Sequence, residues 1–284
     1  MCKDFAAFVL SNRRPDRVYT VASLRKAGYT GPVYIVLDNE DPTIEEYRAR
    51  YGEQVLVFDK EAVGRTFDLA DTFFAKKGVV VFARNAVAAL AEQHGVARWI
   101  QLDDDYTDFV YKFDGDGQYR ERKIRSLDRV FAALVQFQQS TPAVTICMAQ
   151  NGDFLGGAKS RYGQAVLLMR KAMNTFVCSR DKPLQFVGRI NEDVNTYVTA
   201  GMRGALLCSI NTVAIIQKQT QSNKGGMTET YLAAGTYLKS FYTVMMAPSC
   251  VKIGMMGQNH RRIHHRIAWR YAVPKIIDQR HRKP

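Results

Sequence analysis

The chain has 284 residues, 46% of them hydrophobic and 24% charged, with five cysteines and a net charge of +13. That length buries a full core, and the composition is that of a globular protein. No run reaches the length of a membrane span, the N-terminus lacks a signal-peptide pattern, and Cys2, Cys147, Cys178, Cys208 and Cys250 lack the spacing of a zinc site or a disulfide framework, so free thiols in a reducing cytoplasm are expected.

Phe5 to Leu10 is a short apolar run of the buried-strand type, broken by Ser11-Asn12-Arg13-Arg14-Pro15. Val18, Val21 and Leu24 then recur at helical spacing up to Gly28. A second strand, Val33 to Leu37, stops at Asp38; a short helix from Ile44 to Arg50 and a third strand, Gln54 to Phe58, follow. This alternation predicts an α/β fold whose ligands bind beyond the carboxyl ends of the strands, where Ser11, Asn12, Arg13 and Asp38 fall. Gly64 to Lys77 fits either a short helix or a loop. Phe82 to His94 reads as a helix with a glycine stop at Gly95, carrying Arg84 and Asn85 in its first turn.

The strand 97–102 then ends in Asp103-Asp104-Asp105. Three adjacent carboxylates repel one another, and a divalent cation would neutralise them. Oxygen-only ligation suits Mg²⁺ or Mn²⁺, which share their shell with substrate phosphates. A solvated acidic turn is the plainer alternative. Residues 106–119 read as a hairpin or loop, and Leu127 to Gln138 as an amphipathic helix. From Ala143 the pattern becomes more irregular, with strands at Val144–Met148, Ala165–Met169, Asn174–Cys178 and Leu206–Ile216. Asn191-Glu192-Asp193 opens a helix to about Ala200, Gln217 to Glu229 reads as a mobile loop, and Tyr231 to Tyr242 as a helix. From Lys252 onward nine Lys/Arg face one Asp, with Trp269, Tyr271 and Val273 interleaved. A folded basic surface for a polyanion, nucleic acid first, is the sharper reading; a solubility tail is the other. No linker divides the chain, so we expect one domain, with a nucleotide-binding half (1–106), an acceptor-side half (107–250) and a basic C-terminal segment (251–284).

In their order, the loop after the first strand, Asp38, Ala83-Arg84-Asn85, the acid triplet and Glu192-Asp193 resemble the GT-A glycosyltransferases. The resemblance implies a Rossmann-like, mixed and mainly parallel sheet with flanking helices and a more irregular C-terminal half. It implies that Asp103 and Asp105, around Asp104, form a DxD motif holding Mn²⁺ or Mg²⁺ against the diphosphate of a nucleotide sugar. Ser11, Asn12 and Arg13 would lie in the first nucleotide-contacting loop, Asp38 near the uracil or ribose, and Arg84 and Asn85 against the donor. More narrowly, Leu102-Asp103-Asp104-Asp105, the Lys224-Gly225-Gly226-Met227 loop and the Arg262-Ile263-His264-His265 to Lys275 segment resemble the TET/JBP-associated glycosyltransferases of phages. These imply transfer of a sugar, glucose from UDP-glucose in our expectation, to the hydroxymethyl group of a modified pyrimidine in phage DNA. We favour 5-hydroxymethylcytosine, with the host cytoplasm as the compartment and no membrane or protein partner.

Within that chemistry Asp105 is the expected principal metal ligand, with Asp103 facing the ribose or sugar through water. His264 or His265, but not both, would complete the shell; contact with DNA phosphate or a structural role is the alternative. Asp193 is the candidate general base for an inverting mechanism and Glu192 the second candidate. Both alternatively offset the positive end of the helix they open. Lys224 sits in a glycine-bearing loop suited to closing over phosphates, without Walker A spacing, and plain connection is its bland alternative. Arg261, Arg262, Arg266 and Arg270 are candidate DNA-phosphate contacts or solvated charges. A protein or glycan acceptor, a metal-dependent phosphoryl-transfer enzyme on nucleic acid, and a non-catalytic DNA-binding protein are the competing readings.

Overall fold

The structure, a computed structural model, describes residues 4–70, 79–150, 154, 166–218, 238–257 and 262–274. In chain order the strands of the main sheet are β1 (Phe5–Leu10), β2 (Val33–Asp38), β3 (Val55–Phe58), β4 (Arg98–Asp103), β5 (Tyr106–Phe113), β6 (Tyr119–Lys123), β7 (Ala143–Gln150), β8 (Val166–Leu167), β9 (Phe176–Ser179) and β10 (Leu206–Gln217). The helices between them are α1 (Tyr19–Lys26), α2 (Ile44–Tyr51), α3 (Lys60–Gly64), α4 (Val80–Gln93), α5 (Leu127–Ser140) and α6 (Glu192–Met202). Then come α7 (Leu238–Met246), a separate two-stranded hairpin of β11 (Val251–Met256) and β12 (Arg262–Ile267), and α8 (Trp269–Ala272).

The ten-stranded sheet runs β3-β2-β1-β4-β9-β7-β10-β5-β6, with β8 added on β10. Strands β3, β2, β1 and β4 are mutually parallel, and β7 pairs parallel with β10. Strands β5, β8 and β9 run against the rest. The architecture is therefore mixed α/β with most strands in one direction and helices on both faces. β1 is buried along its whole length. Its alternation explains why: Ala6, Phe8 and Leu10 join a core with α4 and α6, whereas Phe5, Ala7 and Val9 join the core under α1 and α5. Among the described residues no helix is long and apolar enough to cross a membrane.

Register aligns the site edge. Leu10 pairs with both Val36 and Asp103, so Ser11, Asp38 and Asp103 emerge at the same carboxyl edge. The first six strand and helix expectations fall within a few residues of β1, α1, β2, α2, β3 and α4, although α4 starts at Val80 rather than Phe82. The hairpin expected after Asp105 is β5 and β6, but β6 reads Tyr-Arg-Glu-Arg-Lys and is fully exposed. It is an edge strand protected by charge, which leaves no apolar alternation to read. Of the strand expected at Ala165–Met169, Val166–Leu167 is strand and Leu168 and Met169 are not, while Ala165 lies outside the described residues. The helix expected at Tyr231–Tyr242 is described from Leu238 and runs on to Met246. The basic C-terminal segment contains the β11–β12 hairpin and α8, which the charge pattern alone did not define.

Candidate active site

The acid triplet sits at a turn, because β4 ends at Asp103 and β5 begins at Tyr106. Thr20 of α1 pins both sides of that turn. Its hydroxyl donates to the Asp103 carbonyl at 2.5 Å and accepts from the Tyr106 amide at 3.0 Å, and its own amide donates to the Asp104 carbonyl at 3.3 Å. The Lys218 amide donates to the Asp105 carbonyl from the end of β10.

The three carboxylates have three different surroundings. Asp104 is buried; its Oδ2 accepts from the Ser11 hydroxyl at 2.6 Å and lies 3.1 Å from Arg14 Nε. The Arg14 N–H does not point along that line, so the contact is Coulombic rather than a hydrogen bond. Tyr47 shares a hydrogen bond with Ser11 at 2.6 Å and accepts from the Arg14 amide at 3.0 Å, which locks the loop. Burial pushes the Asp104 carboxyl up to about 6, against the opposing pull of Arg14 and Ser11. Asp103 is partly exposed and its Oδ1 accepts from Arg84 Nη2 at 3.0 Å. Asp105 makes no ion pair with a described residue, and burial, Asp103 and Asp104 push its carboxyl up to about 7.

Arg84 joins this edge to the second half of the chain. It is buried in α4, donates through Nε to Glu192 Oε1 at 3.0 Å, and lies over the rings of Phe176 (4.9 Å) and Phe186 (5.6 Å). Burial works against its charge, but Asp103 and Glu192 more than offset this and raise its pKa. Its Nη1 has no hydrogen-bond partner among the described residues. Asn85 is used differently: its amide donates to the Phe186 carbonyl at 2.9 Å and accepts from the Phe186 amide at 2.8 Å, clamping the loop before α6.

Asn191 caps α6 from a left-handed conformation (φ 61), which asparagine tolerates better than most side chains, and its Nδ2 donates to Thr243 of α7 at 2.6 Å. Glu192 and Asp193 follow, both buried. Burial raises both carboxyls; Asp193 adds to the rise at Glu192, and Arg84 opposes it at both. Asp193 Oδ1 accepts from the Val194 amide at 2.7 Å. At the other end of the edge, Asn12 donates to Asp38 Oδ2 at 3.1 Å, and Arg13, at φ 55, donates its amide to Asp41 at 2.7 Å. Burial raises the Asp38 carboxyl, with Lys60 opposing.

His264 and His265 lie on β12 with their rings 4.2 Å apart. Burial lowers both imidazoles, and that of His265 falls to about 4. Lys239, Arg262 and Lys171 also lower His264, and His264 and Lys239 lower His265, whose Nδ1 is buried without a hydrogen-bond partner among the described residues. Among the described residues no three His, Cys, Asp or Glu side chains form a metal-holding group. Lys224, with Gly225 and Gly226, lies outside the described residues, as do His260 and Arg261.

A divalent cation nevertheless fits Asp103 and Asp105. Arg84 engages one Asp103 oxygen, and Asp105 is a largely buried carboxylate raised by its acidic neighbours. Two carboxylates plus substrate oxygens make an ordinary Mg²⁺ or Mn²⁺ shell. Sequence reading did not single out Thr20, Tyr47, Lys171 or Lys239. A buried threonine or tyrosine that fixes a turn carries no local signal, and the two lysines become neighbours only through the fold.

The family model described as TET-Associated Glycosyltransferase matches residues 5–226. No curated protein sequence matches the chain. Among solved structures, S. aureus TarS 1-349 shares 10% identity over 75% of this chain and 59% of its own, at a TM-score of 0.43. The mannosyltransferase PcManGT of Pyrobaculum calidifontis, in complex with GDP-Man and Mn²⁺, shares 10% identity over 86% of this chain and 62% of its own, at 0.47. Glucosyl-3-phosphoglycerate synthase of Mycobacterium tuberculosis, in complex with Mn²⁺, UDP-glucose and phosphoglyceric acid, shares 9% identity over 91% and 85%, at 0.44. The chain thus spans about three fifths of the length of the first of these.

Proposed function

Because the chain belongs to the TET-associated glycosyltransferase family, we propose that it moves a sugar from a nucleotide sugar, UDP-glucose first, to the hydroxymethyl group of a modified pyrimidine in DNA, 5-hydroxymethylcytosine first. The observation that carries this reading is the Arg84 bridge, at 3.0 Å to Asp103 and 3.0 Å to Glu192. One guanidinium joins the strand-end acids suited to a donor diphosphate with the helix-start acids suited to an acceptor hydroxyl.

In this reading the nucleotide lies along Ser11, Asn12, Arg13 and Asp38, and Asp103 and Asp105 would hold Mn²⁺ or Mg²⁺. When bound, that ion supplies positive charge to the departing diphosphate as Lewis acid and template. The anomeric C–O bond to the diphosphate breaks, a C–O bond to the acceptor oxygen forms, and the acceptor proton passes to Asp193. Asp193 suits the role because burial raises its basicity and its second oxygen has no hydrogen-bond partner among the described residues. Glu192, held by Arg84, positions the start of α6. Lys224 is a candidate for closing over phosphates, and the basic C-terminal segment for following the DNA backbone. Buried free thiols at Cys147, Cys178, Cys208 and Cys250 suit a reducing compartment such as the cytoplasm.

The test is mass spectrometry of DNA containing 5-hydroxymethylcytosine or 5-hydroxymethyluracil after incubation with protein, Mn²⁺ and UDP-glucose. A hexose-sized gain abolished by chelator and by Asp105→Ala is expected. Hydrolysis of the donor with no gain on any DNA would reject the acceptor and favour a protein or glycan hydroxyl. DNA cleavage or elongation without sugar nucleotide would reject glycosyl transfer itself.

A further inference from the structure

We propose that one face of the β11–β12 hairpin, carrying Lys252, Arg262 and Arg266, is the surface on which the acceptor polynucleotide lays its phosphate backbone. The inference rests on the DNA-acceptor reading above and adds a defined docking face to it.

The register of the hairpin sorts its side chains by chemistry. Residues directly opposite in an antiparallel pair share a face, and the faces alternate along each strand. Lys252 stands opposite Arg266, Gly254 opposite His264 and Met256 opposite Arg262, so these residues share one face. The other face carries Val251 with Ile267, Ile253 with His265 and Met255 with Ile263. Val251 is buried in the core that α4 and α6 share, and Ile267 packs against it. The apolar face is thus anchored at its base to the body of the protein, and the basic face is turned from that core. Lys252, Arg262 and Arg266 are all exposed. Among the described residues none of these three pairs with a carboxylate.

Gly254 gives the basic face its centre. A Cβ there would lie 2.4 Å from Arg266 Nε and 2.6 Å from its Cδ, so the arginine lies across the β11 backbone where a glycine leaves room. Its Nη2 donates to the Met255 carbonyl at 2.9 Å, which commits one of its N–H groups and leaves others for an anion. Lys252, the Arg266 head over Gly254 and Arg262 opposite Met256 follow one another at alternate positions, about 7 Å apart along the strand. A row about 14 Å long does not close around one small anion. It matches an anion whose charge repeats along a line, as it does on each strand of a DNA duplex every ~3.4 Å of axis. An anionic bilayer is the poorer match, because interfacial binding needs apolar side chains beside the cations and this face offers only Met256.

The attachments of the hairpin assign it to the acceptor side. α7 packs against both of its strands, and Thr243 of α7 accepts from Asn191 at the start of α6 at 2.6 Å. After the hairpin, Trp269 of α8 stacks on Tyr197 of α6 with ring centroids 5.5 Å apart. The Ala268 amide donates to the Cys250 carbonyl at 2.8 Å and closes the base of the hairpin. The hairpin is therefore held through both flanking helices to α6, the helix that opens with Glu192 and Asp193. A backbone seated on its basic face is carried by the same helix as the acceptor-side acids, not by the nucleotide loop after β1.

The experiment uses the full chain and a fluorescent duplex containing 5-hydroxymethylcytosine, with anisotropy measured across a series of salt concentrations. Lys252→Gln, Arg262→Gln and Gly254→Ala are compared with Arg129→Gln, which removes an exposed charge from α5 on the opposite side of the sheet. Melting temperatures confirm folding. Lys252→Gln and Arg262→Gln should each weaken binding about three- to tenfold near 0.1 M salt and lower the salt slope by about one. Gly254→Ala leaves the net charge alone but lifts Arg266 from its seat, and should weaken binding about two- to fivefold. Arg129→Gln should leave affinity and slope as they are. No loss in the hairpin variants, or an equal loss in Arg129→Gln, would overturn the docking face; hexose transfer to DNA by the unmodified protein would then leave the acceptor reading standing. Unchanged binding in Gly254→Ala would overturn the seat of Arg266. Failure of the unmodified protein to bind any duplex would overturn the face together with the acceptor reading, and capture by phosphatidylserine vesicles in its place would assign the face to a bilayer.

Discussion

Replacing Arg84 by methionine tests the bridge on which the site is built. The guanidinium is buried and forms ion pairs at 3.0 Å with both Asp103 and Glu192. Methionine fills much of the volume but leaves both carboxylates without their counter-ion. The Asp103 side chain is 29% exposed and recovers hydration, whereas Glu192 is 8% exposed and does not. Removing one partner of a buried pair costs about 3–5 kcal/mol, most of it expected here from Glu192. That is a large share of a stability of about 5–15 kcal/mol. The loss should depend on pH in a defined direction. Burial and Asp193 raise the Glu192 carboxyl above its ordinary value of 4.5, and Arg84 holds it down. A raised carboxyl keeps its proton in the folded state over a range where the unfolded chain has released it, so stability falls as pH rises through that range. Without Arg84 the range extends higher, and the deficit of the variant is larger at pH 8 than at pH 5. Urea unfolding followed by circular dichroism at both values, in metal-free buffer, reads the difference. A deficit under about 1 kcal/mol, or one equal at the two pH values, would refute the argument, because the typical cost of an unpaired buried charge is several times that.

Asp105→Asn should stabilise the metal-free protein at pH 8 by about 1–3 kcal/mol, since a carboxyl raised to about 7 is ionised there at a cost. The gain should shrink as pH falls from 7 toward the ordinary value of 3.8, and Mn²⁺ should raise the melting temperature of the unmodified protein but not of the variant. A variant that gains as much from Mn²⁺ would remove Asp105 from the ion's shell. Thr20→Val deletes both hydroxyl bonds that pin the acid turn and should cost about 1–3 kcal/mol in denaturant unfolding, with donor hydrolysis reduced more than expected from the unfolded fraction. Unaltered stability would show that the turn holds itself. Gly201→Ala would place a Cβ 1.9 Å from the Ala272 carbonyl, forcing α8 away from α6. Trp269, stacked on Tyr197 at 5.5 Å, should then shift its fluorescence to the red; an unchanged spectrum would mean that α8 yields without exposing it.

The N-terminal half was legible because its elements obey local rules. β1 and β2 are apolar runs buried on both sheet faces, and Gly28 and Gly95, at φ 86 and 68, end helices where the sequence placed stops. The acid triplet and the Glu192-Asp193 pair were legible for the same reason, being dense charge at element ends. What joins them was not. Arg84 is 108 residues from Glu192, and nothing in the composition of either segment names the other. The sequence reading expected Arg84 and Asn85 to face the donor; the structure gives Arg84 two acidic partners and gives Asn85 the backbone of Phe186. The C-terminal hairpin was hidden because β11 exposes most of its residues and β12 is half-buried or exposed throughout, so neither strand shows a buried apolar alternation.

The three aspartates show how one repeated residue acquires unlike roles from its neighbours. Left to themselves, three adjacent carboxylates would share protons or unfold the turn. Here Arg14 and the Ser11 hydroxyl satisfy Asp104, which faces inward and holds the loop after β1. Arg84 satisfies one oxygen of Asp103 and ties it to Glu192. Asp105 pairs with neither arginine among the described residues, and burial and both acidic neighbours raise its carboxyl against the weaker opposing pull of Arg14. Two of the three charges have arginine partners within the protein, so in the proposed reading Asp105 and the remaining oxygen of Asp103 are the groups that would take up a cation. Were Arg84 to let go of Asp103, the turn would gain a second uncompensated charge and the link to Glu192 would be lost in the same step. The same side chain thus sets both how much positive charge the strand end carries and where Glu192 stands relative to it.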